Sequence, residues 1–205
     1  MTEVAVTGWL LLVGSGLFLS GAGAFFWAVM RVPSNRYLGS IDGRPRLWRF
    51  ANLCLLAGTA VTAAGLGTLP ALVDEAGANA LTVAGAVLFN LAAVLWAMAL
   101  VHRLTVVPAV AARFVKTGVV DPAAETVDRW AGGLFAAFVV LAAIGLVAIG
   151  GGLAIAGPVS SLFGATISVY GLIVLVAFVM TGDVPPLLLF LPQLALAIAI
   201  LASGT

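Results

Sequence analysis

Six long apolar runs constrain this chain more than any other feature of its sequence. A helix of about 20 residues crosses the roughly 30 Å hydrocarbon core of a bilayer. Because only helices and closed barrels satisfy every backbone hydrogen bond in lipid, we predict an all-α fold, a single-domain bundle of six transmembrane helices. The predicted spans are residues 5–30, 48–67, 78–101, 130–156, 159–180 and 184–202.

Charged residues are too scarce for a water-soluble protein of this size. Only 8% of the 205 residues are charged and 63% are hydrophobic, whereas soluble domains are about 25% charged. A surface this poor in polar groups needs the lipid bilayer as its solvent and first partner. The net charge of +1 gives no reason to expect nucleic acid as a partner.

The basic residues predict the orientation of the bundle. All nine lie in or beside the segments 31–47 and 102–129, whereas the connections on the opposite side carry only Glu3, Asp74 and Glu75. By the positive-inside rule, both basic segments are cytoplasmic loops, and the N-terminus and C-terminus are both non-cytoplasmic. Eight of the nine basic residues are arginine, and the helices are rich in Ala, Gly, Val and Leu. This usage favours a bacterial or archaeal source, and hence the cell (inner) membrane.

Turn and cap residues predict the local structure of the connections. Turn formers fill residues 31–46, so we expect irregular structure there. Residues 108–119 either continue the third helix or lie along the membrane interface, and Asp121 before Pro122 is typical of a helix start. We expect Asp183 to cap the sixth helix. Very short turns predict that spans four, five and six pack as consecutive antiparallel neighbours.

Small residues at a spacing of four predict close helix contacts in lipid. Gly58 and Thr62 form one such stripe in the second span. In the fourth span, the run 150–152 consists of three glycines, which predicts a bend or a very close crossing. A further stripe in the first span consists of Gly16, Ser20 and Ala24.

Four neutral polar residues inside the spans are candidates for lining a cavity: Asn90, Gln193, Tyr170 and Asn52. The alternative for each is a hydrogen bond between helices, which contributes about 0.6 kcal/mol on average in membrane proteins. Pro192 leaves the Leu188 carbonyl without its helical donor. That carbonyl is therefore either satisfied locally or faces a ligand.

His102 is the only histidine, and it follows the third span directly. A single imidazole cannot complete a zinc site or a bis-histidine haem site within one chain. It remains a candidate axial ligand for a pigment, or for a haem shared across a dimer. No other cofactor and no metal site is predicted.

The sequence favours a non-enzymatic function. No ionisable residue falls in the central part of a span, and no nucleophile or phosphate-binding motif is present,. We therefore expect an accessory or structural membrane protein that binds a partner complex, a second copy, a lipid or a pigment through its apolar helix faces. The first alternative is a transporter or channel for a small neutral or hydrophobic solute. The second is an interfacial enzyme acting on lipid through His102, Asp121 or Asp183.

Overall fold

A computed structural model of the chain describes residues 2–27 and 37–203, and it is helical almost throughout those two ranges. The α-helices are α1 (Glu3–Phe25), α2 (Tyr37–Gly43), α3 (Pro45–Thr68), α4 (Ala76–Thr117), α5 (Pro122–Ala156), α6 (Ser161–Thr181) and α7 (Leu191–Ser203). Short 3-10 turns occupy Leu69–Leu72 and Pro186–Leu189. All helices except α2 are long and apolar enough to cross a membrane, α7 when the turn before it is included. The six predicted spans therefore correspond to six such helices.

The two ends of the bundle differ in charge. Thr7 of α1 hydrogen-bonds Thr68 of α3 at 2.9 Å, and Gly8 lies against Leu201 of α7. Residues 2 and 203 are thus at the same end, which also holds Glu3, Asp74 and Glu75; we call it the acidic end. The opposite, basic end holds the cationic side chains that the structure describes: Arg44, Arg46, Arg49, Arg103, Arg113, Lys116 and Arg129.

The long hairpin of α4 and α5 extends well past the predicted spans at the basic end. At 1.5 Å per residue, the 42 residues of α4 reach about 63 Å, roughly twice the hydrocarbon thickness. Of the two alternatives for residues 108–119, the structure has the continued helix, which ends at Gly118 with a left-handed φ of 72°. The predicted start of α5 is confirmed, because the Asp121 side chain accepts a hydrogen bond from the Ala123 amide at 3.0 Å.

The connection predicted over 31–46 differs in part from the structure. Residues 28–36 lie outside the described ranges, as do residues 28–30 of the first predicted span. The expectation of irregular structure is wrong for residues 37–43, which form α2. Ile41 is buried against α3 and α4 together with Trp48 and Ala111. This apolar packing favours a helix in spite of the turn-forming composition.

Glycines form the close helix crossings, although one predicted stripe is misplaced. A Cβ at Gly85 would stand 2.6 Å from the Gly145 carbonyl oxygen, so α4 and α5 touch backbone to backbone. Gly58 makes a similar approach to Gly14 of α1, as its stripe predicts. The stripe beginning at Gly16 is wrong as an intrachain contact, since nothing lies within 4 Å of a Cβ there. The face of α1 that packs on α3 is displaced by two residues from the stripe that begins at Gly16.

The glycine run of α5 serves two neighbouring helices. A Cβ at Gly150 would clash with the backbone of α6 at Ser168, and one at Gly152 would clash with Thr82 of α4. Gly151, between them, faces open space. The close crossing predicted from the run is confirmed, and it ties α5 to α4 and α6 at once.

The last helix does not occupy its predicted place. The prediction that spans four, five and six are consecutive antiparallel neighbours holds for α5 and α6, but it is wrong for α7, whose main neighbour is α1. Phe190, just before α7, stacks on Phe18 of α1 with ring centroids 3.6 Å apart. Asp183 does not cap a helix: Pro185 precedes the 3-10 turn without a side-chain cap, and Thr181 contacts the Asp183 backbone instead.

Candidate ligand-binding site

Two cavities lie at the basic end, where α2 crosses the extended hairpin of α4 and α5. Trp48 at the start of α3 anchors this junction. Its ring is 2% exposed, and its Nε1 donates a hydrogen bond to the Arg103 carbonyl oxygen at 2.8 Å. Phe25 and Tyr37 pack around the same ring, with centroids 5.6 Å and 6.3 Å away. Four helices therefore converge on one aromatic side chain.

Arg103 points its guanidinium into this aromatic cluster. The guanidinium carbon lies 4.3 Å from the ring centroid of Phe25, 5.2 Å from Trp48 and 6.0 Å from Trp96. Such distances permit attraction between the cation and the ring faces. Within the described residues, no carboxylate comes within salt-bridge distance of Arg103, and no acceptor hydrogen-bonds its guanidinium. Among the described residues, the cation is therefore held by aromatic rings and has no ion-pair partner.

Two adjoining cavities flank Arg103. The outer cavity, about 590 Å³ in volume, lies between α2, α4 and α5 and is walled chiefly by Val106, Val110 and Phe114. The inner cavity, about 310 Å³, lies on the side of the bundle core and includes Arg103 and Trp96. The residues common to both walls are Tyr37, His102, Val107 and Asp128. An apolar recess thus meets a polar cluster at its inner end.

The polar cluster combines hydrogen-bond donors with carboxylates. Burial raises the pKa of the Tyr37 phenol, and the nearby Asp128 carboxylate raises it further, although the Arg103 charge opposes both effects. Tyr37 therefore remains a neutral hydrogen-bonding group at physiological pH. Asp128 and Glu125 are exposed on α5 and reach the wall of the outer cavity. Cationic, neutral and anionic groups all meet the same space.

Two buried polar atoms at the cavities lack a hydrogen-bond partner within the described ranges: Nε1 of Trp96 and Nδ1 of His102. Their side chains are only 3% and 6% exposed. Buried polar atoms are paired in the great majority of cases, so these two are unsatisfied groups, within the described residues, that lie just behind the surface of the cavity wall. The assignment of His102 as an axial ligand stays a prediction. The described residues contain no cluster of three metal-ligating side chains.

The four polar residues predicted inside the spans lie in different places. Asn52 is buried on α3, and its Nδ2 donates to the Trp48 carbonyl oxygen at 2.8 Å. The Tyr170 hydroxyl donates to the Leu188 carbonyl oxygen at 2.9 Å. Leu188 is the residue whose carbonyl Pro192 leaves without its helical donor, so this group is satisfied locally by a side chain of α6.

Asn90 and Gln193 line neither of the basic-end cavities. Asn90 faces an almost wholly apolar groove of about 420 Å³ between α3 and α4, together with Thr59 and small residues. Gln193 is 1% exposed near the start of α7, and neither atom of its amide has a partner in the described part of the chain. The structure therefore does not bring the four predicted residues into one site. Their roles as cavity-lining groups remain predictions.

The remaining acidic candidates have local structural roles. Asp121 bonds the Arg113 guanidinium at 2.9 Å in addition to capping α5, and Asp183 is exposed in the turn after α6. The sequence analysis missed Arg103, Tyr37 and Asp128 as members of one site. A usable signal exists: apolar residues at helical spacing continue through Val106, Val107 and Val110, which would have extended α4 and placed Arg103 inside a helix.

Similarity gives no further guide to this site. Comparisons with models of protein families, with curated proteins and with solved structures found no match for the chain.

Proposed function

We propose that the six long helices cross the bacterial cell (inner) membrane, with the basic end in the cytoplasm and residues 2 and 203 on the other side. The separation of charge between the two ends of the bundle supports this orientation,. Single cysteines introduced at Arg44, Lys116 and Asp74, in a Cys54→Ala background, test it in intact cells. A membrane-impermeant maleimide should label only the Asp74 position. Labelling of Arg44 and Lys116 from opposite faces would overturn the topology.

We propose further that the chain is an accessory, non-enzymatic membrane protein that binds an amphipathic molecule, such as a lipid or a pigment, in the basic-end cavities. The outer cavity carries this proposal. Its volume of about 590 Å³ falls in the usual range for ligand pockets. Valine, leucine and phenylalanine walls suit a hydrocarbon chain or ring system, and the polar cluster at the inner end suits a head group.

The location of the cavities supports an amphipathic ligand in particular. Arg103 follows the predicted span 78–101 by two residues, so the polar cluster lies near the depth of the lipid head groups. The membrane-side wall of the inner cavity includes Phe135 and Pro186. A molecule at this depth meets apolar walls on two sides and charged groups between them. These apolar walls suit an amphipathic molecule better than a freely water-soluble solute.

Purification in a mild detergent tests the proposal directly. We expect an amphipathic molecule to accompany the protein, detectable by mass spectrometry of an organic extract and, for a pigment, by its absorption spectrum. Ala124→Trp fills the outer cavity, whereas Ala137→Trp is its matched control on the exposed face of the same helix. The first variant should lose most of the bound molecule and the second should retain it. Equal retention by both variants would contradict the proposal.

A further inference from the structure

The hydrogen-bond donors of Arg103 indicate which chemical class of ligand the cavities bind. A guanidinium carries five N–H donors that lie in its own plane. The rings of Phe25, Trp48 and Trp96 attract its charge, but ring faces do not accept those in-plane hydrogen bonds. The donors facing the inner cavity are therefore available to the planar oxygen pairs of a carboxylate or a phosphate.

Trp96 adds a donor of the same kind. Its Nε1 can only donate, and it has no acceptor within the described ranges,. Both Trp96 and Arg103 line the inner cavity; because Nε1 of Trp96 is itself buried, an oxyanion placed there accepts from Arg103 and would reach Trp96 only after its ring shifts. His102 lines the same cavity, and its buried Nδ1 also lacks a partner within the described residues. The inner cavity is therefore built to receive an acidic group.

The opposite wall carries the opposite charge. Asp128 lines both cavities, and Glu125 lines the outer one. A ligand with negative charge alone would meet repulsion from these two carboxylates, whereas an amine beside them would gain attraction. Among residues 2–27 and 37–203, Arg103 is the one lysine or arginine that lines either cavity. The two walls together match a head group that carries both charges.

We propose that the basic-end cavities select a zwitterionic amphiphile with an acidic group and an amine, which deepens, and rests on, the ligand-binding function proposed above. The acidic group accepts hydrogen bonds from Arg103 in the inner cavity. The amine lies against Asp128 and Glu125, and the apolar part lies between Val106, Val110 and Phe114. An aminophospholipid has this chemistry.

Binding of defined lysolipids to the purified full chain in a nonionic detergent tests the selection. Lysophosphatidylethanolamine should bind at least tenfold more tightly than lysophosphatidylglycerol of the same acyl chain, which has the phosphate but no amine. Free phosphoethanolamine has both charges but no chain, and it should bind at least tenfold more weakly than the lysolipid. If phosphoethanolamine bound as tightly as the lysolipid, the ligand would be a water-soluble zwitterion, and the proposal of an amphiphilic ligand would be overturned.

Substitution of the carboxylate separates head-group selection from folding. Asp128→Asn changes an exposed side chain and should abolish most of the preference for lysophosphatidylethanolamine, while lysophosphatidylglycerol binds more tightly than before. Arg129→Gln is the matched control, because Arg129 is exposed on the same helix and lines neither cavity. A preference that survives Asp128→Asn unchanged would refute the zwitterion.

Arg103→Gln should weaken both lysolipids at least tenfold, and Arg103→Lys should restore only part of that loss, because an ammonium lacks the planar fork. If neither variant folds, the Asp128→Asn result still decides the proposal. Equal affinity for the two lysolipids would refute the proposed selectivity for a zwitterion, but not the proposed ligand-binding function. Absence of binding by every lysolipid, with no effect of Ala124→Trp on what copurifies, would instead refute the proposed function.

Discussion

The two halves of α5 differ in how they pack: one half contacts its neighbours backbone to backbone, and the other lies beside cavities. Toward the acidic end, Gly145, Gly150 and Gly152 bring its backbone against the backbones of α4 and α6. Toward the basic end, Gly132 and Gly133 have nothing within 4 Å of a Cβ position. There α4 and α5 contact each other through the rings of Trp96, Phe135 and Phe138, and the cavities adjoin these rings and α2. Glycine content alone therefore does not predict close packing; the position of each glycine relative to its neighbours decides it.

The proposed membrane location accounts for this difference. Helices within lipid gain no hydrophobic stabilisation from one another, so they associate through close van der Waals contact and small residues. At the basic end, α2 and the start of α3 supply bulky aromatic side chains instead. Trp48 packs against Phe25 of α1 and Tyr37 of α2, and the Arg103 guanidinium lies over this cluster. Close backbone contacts between helices stabilise one half of the molecule, and contacts among aromatic side chains stabilise the other.

Substitution of single glycines is the largest expected test of this comparison. Gly150→Ala places a methyl group on the backbone of α6, so we expect a loss of about 1–3 kcal/mol in the free energy of unfolding. Gly133→Ala at the open end should be neutral, or stabilising by up to about 1 kcal/mol, because alanine favours helix. Denaturation in mixed detergent micelles measures both. Equal destabilisation by the two variants would break the comparison.

Loss of the Asp121 cap tests whether the protruding tip of the hairpin contributes to stability. Asp121→Ala removes the acceptor for the Ala123 amide and should cost about 1 kcal/mol. Asp121→Asn keeps a capping oxygen and should cost clearly less. The same denaturation assay distinguishes the two substitutions. Indistinguishable variants would mean that the cap is not part of the cooperative unit.

Tyr170→Phe probes the packed half at a polar contact. It leaves the Leu188 carbonyl without its donor at 2.9 Å, which should reduce the free energy of unfolding by about 0.6 kcal/mol, the average for such bonds in membranes. Ser168→Ala removes a comparable bond, to the Val147 carbonyl oxygen at 2.9 Å, and provides a reference. No loss in Tyr170→Phe would imply that the carbonyl finds another donor.

The surface ion pair at the hairpin tip should have the smallest effect. Arg113 and Asp121 are 66% and 38% exposed, so solvent and salt screen their attraction. Arg113→Gln should change the free energy of unfolding by at most about 0.5 kcal/mol, and less at high salt. Unfolding measured at two ionic strengths checks this. A large, salt-independent loss would indicate that Arg113 contributes packing, which its exposure argues against.

Features set by local chemistry could be predicted from the sequence. Long apolar runs located the six helices, and the Asp121–Pro122 pair located the start of α5. The satisfied Leu188 carbonyl was one of two outcomes anticipated from Pro192. Each depends on residues within a few positions of one another. Hydropathy and capping preferences report such short-range effects directly.

Features that depend on contacts between distant segments could not be predicted in this way. The packing of α7 on α1 rests on the stacking of Phe190 with Phe18, residues far apart in the chain. The surroundings of Arg103 require Phe25, Trp48 and Trp96 from three helices. Arginine beside a histidine after an apolar run is typical of a membrane boundary. Only the continuation of α4 past this point makes it part of a cavity wall.

The meeting of the first and last helices at the acidic end has a practical consequence for experiments. Gly8 touches Leu201, so a fluorescent protein or affinity handle joined to either terminus emerges on the face remote from Arg103. Such attachments leave the basic-end cavities, which lie beside α2 and the α4–α5 hairpin, unobstructed. A pair of reporters, one on each terminus, would also sit close enough for energy transfer, and separation of α7 from α1 would register as a fall in that signal.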